Sequence, residues 1–254
     1  MFPKIKPLVI GNWKMRLSTK ESVELAKEIK NHETAKIKAE IVICPTFTAI
    51  SEVVKAVKSN YIKVGAQNCF WEGQGSYTGE VSAHQLSELG CEYVIIGHSE
   101  RRKLLNETDE TVHRKVKMAI DAGLVPVVCV GETFEQRQEG SKDFVIMSQA
   151  MKAMEGLEFK SNSKVVIAYE PVWVIGTGQA VNPTEAQHAH QVIRQAMHDI
   201  FDPETVRNNF RVIYGGSVDE NNVGSFTSLD NIDGVLVGIA SLKAKDFIGI
   251  INKA

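Results

Sequence analysis

The chain has 254 residues, 43% of them hydrophobic and 24% charged. That length and balance suit a globular protein with a sizeable core, either one large α/β barrel or two small domains. The formal net charge of −2 excludes a global pull toward nucleic acid or an anionic membrane, so any anion site must be local.

The start, MFPKIKPLVIGNWK, has too short an apolar stretch for a signal peptide. No run approaches the ~18 apolar residues of a spanning helix. Short β-branched runs then recur in chain order: LVI at 8–10, IVIC at 41–44, IKVGA at 62–66, YVIIG at 93–97, VPVVCV at 125–130, KVVIAY at 164–169, RVIY at 211–214 and GVLVG at 234–238. Near-continuous apolar runs of this length read as strands buried on both faces. Amphipathic helical segments lie between most of them. The segment 18–30 opens with Ser18 and Glu21 as a capping box and carries a stripe of Val23, Ala26 and Ile29. The segment 106–123 has Val112, Val116 and Ala119 on one face and stops at Gly123. A third opens at Asn182-Pro183-Thr184-Glu185, an N-cap, a first-turn proline and a reciprocal Glu, with Ala189, Ile193, Met197 and Ile200 as its stripe.

Eight strands alternating with helices imply a parallel sheet with right-handed crossovers. A closed (β/α)8 barrel, the TIM barrel, fits both the count and the usual length of about 250 residues. The expectation is a single barrel domain over 1–254. An open doubly wound sheet would want a G-x-G-x-x-G turn after its first strand. Here that turn reads GNWKM, and Gly73-x-Gly75 and Gly176-x-Gly178 read as backbone turns. Cys44, Cys69, Cys91 and Cys129 form no C-x-x-C pair and stand at no zinc-ligand spacing from a histidine. They read mostly as buried thiols, which suits a reducing cytosol, although an even count leaves disulfides open. No metal site is expected.

In a barrel the C-terminal strand ends share one mouth. Asn12 and Lys14 follow the first run, His98, Ser99 and Glu100 the fourth, Glu132 the fifth and Glu170 the sixth. Gly215, Gly216 and Ser217 follow the seventh, and Gly238 and Ile239 the eighth. A cation, an imidazole and carboxylates would converge on one rim, with a phosphate cradle in the last two turns. Each alone has a plainer reading. Lys14 could be a solvated surface lysine, His98 a satisfied structural histidine, Glu170 a salt-bridge partner and Gly215-Gly216 a tight turn. Glu100 beside Arg101 and Arg102 reads first as an ion-pair cluster. The joint placement at strand ends favours a site.

The stretch EPVWVIGTG, residues 170–178, puts apolar side chains between a proline and two glycines, directly after a carboxylate. Pro171, Val172, Trp173, Val174, Ile175, Gly176, Thr177 and Gly178 read as a lid. Val172, Trp173 and Ile175 would cover the mouth and exclude water, with Val174 at the tip. The other reading is a packed loop with a buried tryptophan. Residues 67–79, QNCFWEGQGSYTG, form a long loop with Phe70, Trp71 and Tyr77, which would be costly to leave wet together.

Six motifs in order, GNWKM at 11–15, IIGHSERR at 95–102, CVGET at 129–133, AYEPVW with IGTG at 168–178, YGGSV at 214–218 and DGVLVG before ASL at 233–242, closely resemble the triosephosphate isomerase family. That family is a standard worked example of a base, a neutral imidazole and a closing loop. The resemblance runs nearly from Val9 to the end. It implies a glycolytic and gluconeogenic aldose–ketose isomerase without a cofactor, acting through an enediolate. Glu170 would be the base, His98 the neutral donor, Lys14 the positive field and Asn12 an orienting group. Ser99 and Glu100 would support them. Backbone N–H groups at Gly176, Ser217, Gly238 and Ile239 would hold the phosphate. Loop 67–79 would be a homodimer interface, and the enzyme cytoplasmic, with no nucleic-acid or membrane partner. Three departures from the family pattern stand out: Ile239 where a second glycine is frequent, Gln179-Ala180-Val181 after the lid in place of the more usual Lys-Thr-Ala, and Val174 where alanine is common. Two competing functions remain at this level: a sugar-phosphate lyase using Lys14 through a Schiff base, and a non-catalytic phosphate-binding or assembly protein.

Overall fold

The computed structural model describes residues 6–32, 39–58, 61–159, 163–176 and 179–254. Its strands are β1 (Leu8–Asn12), β2 (Glu40–Cys44), β3 (Ile62–Ala66), β4 (Tyr93–Ile96), β5 (Val125–Val130), β6 (Val165–Tyr169), β7 (Phe210–Tyr214) and β8 (Gly234–Val237). They pair in parallel, in chain order, and close on themselves. The closing seam sets Leu8 against Gly234 and Gly11 against Val237. Helices α1 (Thr19–Asn31), α2 (Ile50–Val57) and α3 (Ala83–Glu88) follow the first three strands. After β4 come α4 (Ser99–Leu105) and α5 (Asp109–Asp121), and after β5 come α6 (Phe134–Gln138) and α7 (Lys142–Met154). Then α8 (Pro183–His198) and α9 (Pro203–Asn209) follow β6, α10 (Val223–Thr227) follows β7, and α11 (Ala244–Lys253) follows β8.

The closed (β/α)8 barrel explains why the strand runs lack alternation. Leu8 and Ile10 point into a barrel core with Val42, Ile95, Val127 and Ile213, whereas Val9 packs outward against the helices. Both faces of each strand are covered over most of its length, so most positions must be apolar; the half-exposed ones, such as Glu40, Lys63 and Arg211, lie toward the N-terminal strand ends. The interior is tight. A Cβ on Gly65 would stand 2.8 Å from the Cys44 sulfur, so glycine is required there. All four cysteines are buried free thiols. No described helix is long and apolar enough to cross a membrane.

The helices differ in detail from their sequence patterns. The Ser18–Glu21 capping box is formed, but α1 buries Ser22, Leu25, Ala26 and Ile29, leaving Val23 half-buried at the edge of the stripe. The segment 106–123 is not one helix. Asn106 ends α4 in the left-handed conformation, φ 53°, and Thr108 caps a fresh start in α5 through Thr111. Val112, Val116 and Ala119 are buried as the spacing predicts. Asn182 caps α8 by accepting from the Thr184 N–H. Glu185 does not reciprocate: it pairs with Arg137 and Lys142 on neighbouring elements. Ile200 lies beyond the helix end and is exposed, because α8 stops at His198.

Candidate active site

Parallel strands deliver their C-terminal ends to one rim, and a cavity of about 370 Å³ opens there. Asn12, Lys14, His98, Glu170, Ile175, Gly176, Ser217, Gly238 and Ile239 all line it. The strand-end reading therefore brings together side chains spread over 228 positions, from Asn12 to Ile239.

Glu170 is the best-held member. Its N–H donates to Val130 O at 2.8 Å, and Gly215 N–H donates to Tyr169 O at 2.8 Å, so β6 hands it over between two flanking chains. Those chains must be glycine at the contact. A Cβ on Gly131 would meet Glu170 O at 1.7 Å, and one on Gly215 would meet the Glu170 Cγ at 3.0 Å. Gly215 thus serves the side chain's packing as well as the turn, and Gly131, just after β5, makes room for the Glu170 backbone carbonyl. The carboxylate is buried, 2% exposed. Its Oε2 accepts from the Ser99 N–H at 2.9 Å, and its Oε1 lies 3.1 Å from His98 Nε2.

His98 ends β4 and caps α4. The Glu100 N–H donates to its Nδ1 at 3.2 Å. A ring nitrogen that accepts an N–H carries a lone pair, so the ring proton sits on Nε2, the nitrogen that faces Glu170. The helix start supplies this donor as part of its own capping.

Lys14 sits in a turn with φ 51°, left-handed for a non-glycine residue. Its N–H donates to Asn12 Oδ1 at 3.1 Å. Gln67, just after β3, holds the turn from two strands away, donating to Lys14 O at 2.8 Å and Cys44 O at 2.9 Å. The Lys14 ammonium pairs with Glu100 at 2.6 Å. Burial pushes the Glu100 carboxyl up, but the Lys14 contact and charge outweigh it and hold it below the usual carboxylate range. Glu100 is therefore not in an ion-pair cluster with its neighbours. Arg101 turns to Glu107, and Arg102 to Asp109 and Gly97 O, because successive helical residues fan apart.

The segment read as a lid from its sequence opens at Pro171 and runs into a short 3-10 turn, Val172–Val174. Trp173 does not stand over the mouth. Its Nε1–H donates to Glu132 at 2.9 Å, and Arg137 stacks on its ring at 4.5 Å. Glu132 is fully buried outside the cavity, with its carboxyl pushed up by burial and also bonded by the Tyr169 hydroxyl. Val174 is buried in the core, not exposed at a tip. Of the apolar lid residues only Ile175 lines the cavity, followed by Gly176 at φ 78°. Thr177 and Gly178 lie outside the described residues. Ile239 is tolerated without a left-handed backbone, and its side chain is 63% exposed at the cavity edge.

Sequence reasoning passed over Asp219, Lys243 and Asp246, which also line the cavity. It also missed the Gln67 clamp. Gln67 directly follows a predicted strand, which was the available signal; the others come from helix and loop starts with no special spacing.

Comparison with known proteins gives a consistent result. The family model described as triosephosphate isomerase matches residues 7–254. A protein named triosephosphate isomerase from Alkaliphilus oremlandii (strain OhILAs) is 46% identical over 97% of this chain and 99% of its own. Proteins of the same name from Alkaliphilus metalliredigens (strain QYMF), at 45%, and Dictyoglomus thermophilum (strain ATCC 35947 / DSM 3960 / H-6-12), at 44%, match with the same coverage of both chains.

Proposed function

Since the chain belongs to the triosephosphate isomerase family, we propose that it interconverts D-glyceraldehyde 3-phosphate and dihydroxyacetone phosphate at the cavity just described. The observation that carries the residue roles is the meeting of Glu170 and His98 at 3.1 Å on a wall shared with Lys14. Glu170 takes a proton from the carbon beside the substrate carbonyl and returns it to the neighbouring carbon. A carboxylate is a weak base for a C–H bond, so the developing enediolate oxygen needs fixed donors. His98 Nε2–H and the Lys14 ammonium supply them, and Asn12 orients the oxygens. To reach substrate, the Glu170 carboxylate leaves the Ser99 N–H. Backbone N–H groups at Gly176, Ser217, Gly238 and Ile239 receive the phosphate, and the lid, Thr177 and Gly178 included, closes the site to water.

The Lys14–Glu100 pair supports this reading over a Schiff-base lyase, because a paired ammonium is no nucleophile. The test is interconversion of the two triose phosphates by the purified chain beside Glu170→Ala. Fast turnover lost in the variant is expected. Borohydride labelling of Lys14 with substrate would replace the isomerase by the lyase.

We further propose a cytoplasmic homodimer through loop 67–79. Phe70 stacks on Trp71 at 4.1 Å and meets Tyr77 at a tilt, 4.8 Å between ring centres, leaving Tyr77 exposed. Lys115 anchors the loop base through Asn68 Oδ1 at 2.8 Å and Glu107. Exposed Met15, Leu104 and Leu105 add apolar surface that a partner would cover. Sedimentation of wild type and Tyr77→Asp tests it: a dimer weakened by the charge is expected, and a wild-type monomer would overturn it.

A further inference from the structure

The opposite end of the barrel carries chemistry that isomerisation does not use. Four strands bring Glu40, Lys63, Tyr93 and Arg211 together at their N-terminal ends. Glu40 Oε1 accepts from Lys63 at 2.8 Å and from the Tyr93 hydroxyl at 2.7 Å, and Oε2 accepts from Arg211 Nη1 at 2.8 Å. Burial pushes the Glu40 carboxyl up, but these three donors outweigh it and hold it at about 2. The carboxylate is thus ionised and well bonded.

The cations around it are not all used. A cavity of about 320 Å³ at this mouth is lined by Lys63, Arg211, Lys164 and Arg207, against Glu40 as the one lining carboxylate among the described residues. Glu92 reaches Lys63 at 3.4 Å from outside the lining. Among the described residues Lys164 has only a carbonyl partner, Asn208 O at 2.5 Å. Arg207 has no partner among the described residues. Arg211 gives Glu40 one guanidinium nitrogen and has two more. A concave site with excess positive charge and spare N–H donors attracts an oxyanion.

We propose that the N-terminal mouth of the barrel is a second anion site, taking a small polyvalent oxyanion such as inorganic phosphate between Arg207, Lys164 and Arg211. It is separate from the catalytic cavity. Five-residue strands at about 3.3 Å per residue and the apolar barrel core stand between the two mouths. Bound anion would tie the starts of β6 and β7 to α9 and stabilise the fold by linkage, without touching turnover.

Equilibrium dialysis with labelled inorganic phosphate at constant ionic strength tests this, using wild type and Lys164→Gln/Arg207→Gln. Both substituted side chains are exposed, and the variant is expected to keep wild-type isomerase turnover. The variant should bind one phosphate fewer per chain. That difference reads the basal mouth alone: if the catalytic reading failed, both totals would fall equally and the difference would stand. Equal phosphate binding in the two proteins would overturn the proposal. So would displacement of the extra ion by equimolar chloride, which would mark charge screening only. As a measurement that needs no variant, the backbone amides of Lys63, Tyr93 and Arg211 should shift in an NMR titration of wild type with phosphate. Unmoved amides would equally overturn the site.

Discussion

Glu170 and His98 meet at 3.1 Å, carboxylate oxygen to Nε2, although 71 residues of chain separate the pair Ser99–Glu170 that holds the same carboxylate from its other side. The proposed base and the proposed donor are therefore already in contact on one wall of the cavity. Glu170→Ala should lower kcat by at least about 10²–10⁴-fold. Because the two groups act together, Glu170→Ala/His98→Gln should lose little more than the first change alone. Steady-state rates in both directions check this; fully multiplicative losses would separate the two roles.

His98 has two jobs, and they can be pulled apart. It is the cap of α4 as well as the proposed donor. His98→Ala should lose both, with about 0.5–2 kcal/mol of stability from the cap. His98→Asn keeps a capping acceptor but no Nε2, so stability should stay closer to wild type while kcat falls about 10²-fold or more. Chemical denaturation beside kinetics distinguishes them. Equal stability loss in both variants would deny the capping role.

Lys14 stores backbone strain at the site, with φ 51°. A left-handed non-glycine residue costs of order 1 kcal/mol. Lys14→Gly should relieve it while giving up only the partly exposed Glu100 pair, a term of about 0–1 kcal/mol. The variant should therefore unfold at the same temperature or up to about 4 °C higher, yet lose most turnover. Calorimetry showing a large drop in Tm would place the Lys14 ammonium in the stability of the fold instead.

Glu40 sets an acid limit. Its carboxyl lies at about 2 in the fold against 4.5 unfolded. A depressed carboxyl gives stability that is fully present above about 4.5 and lost as pH falls toward 2. With about a fifth of the side chain in water, solvent screening brings the contribution to about 1–2 kcal/mol. Glu40→Gln should be less stable than wild type at pH 7, and the gap should shrink as pH falls below about 4.5. Urea titrations at stepped pH check it. A gap independent of pH would remove the ionic part of the argument.

Much of this was readable in the chain. The eight apolar runs name the strands because burial on both faces leaves a signal that needs no neighbour to interpret. The end of each run names the rim, since parallel strands can deliver their C-terminal residues only to one mouth. Asn12, Lys14, His98, Glu170, Ser217 and Gly238 follow from that rule alone. Helix stripes were legible to within a position or two, and failed where a second cap intervened, as at Asn106–Thr108.

What the sequence by itself determined is therefore periodic or local: strand and helix identity, caps, and the residue at each strand end. The tertiary structure alone decided who bonds to whom. Glu100 takes Lys14 rather than the adjacent arginines, Trp173 takes Glu132 rather than the mouth, Gln67 clamps the Lys14 turn, and Glu40 gathers donors from three other strands. These choices depend on the register in which the barrel closes. Register is set by the packing of all strands at once, so no segment carries it alone.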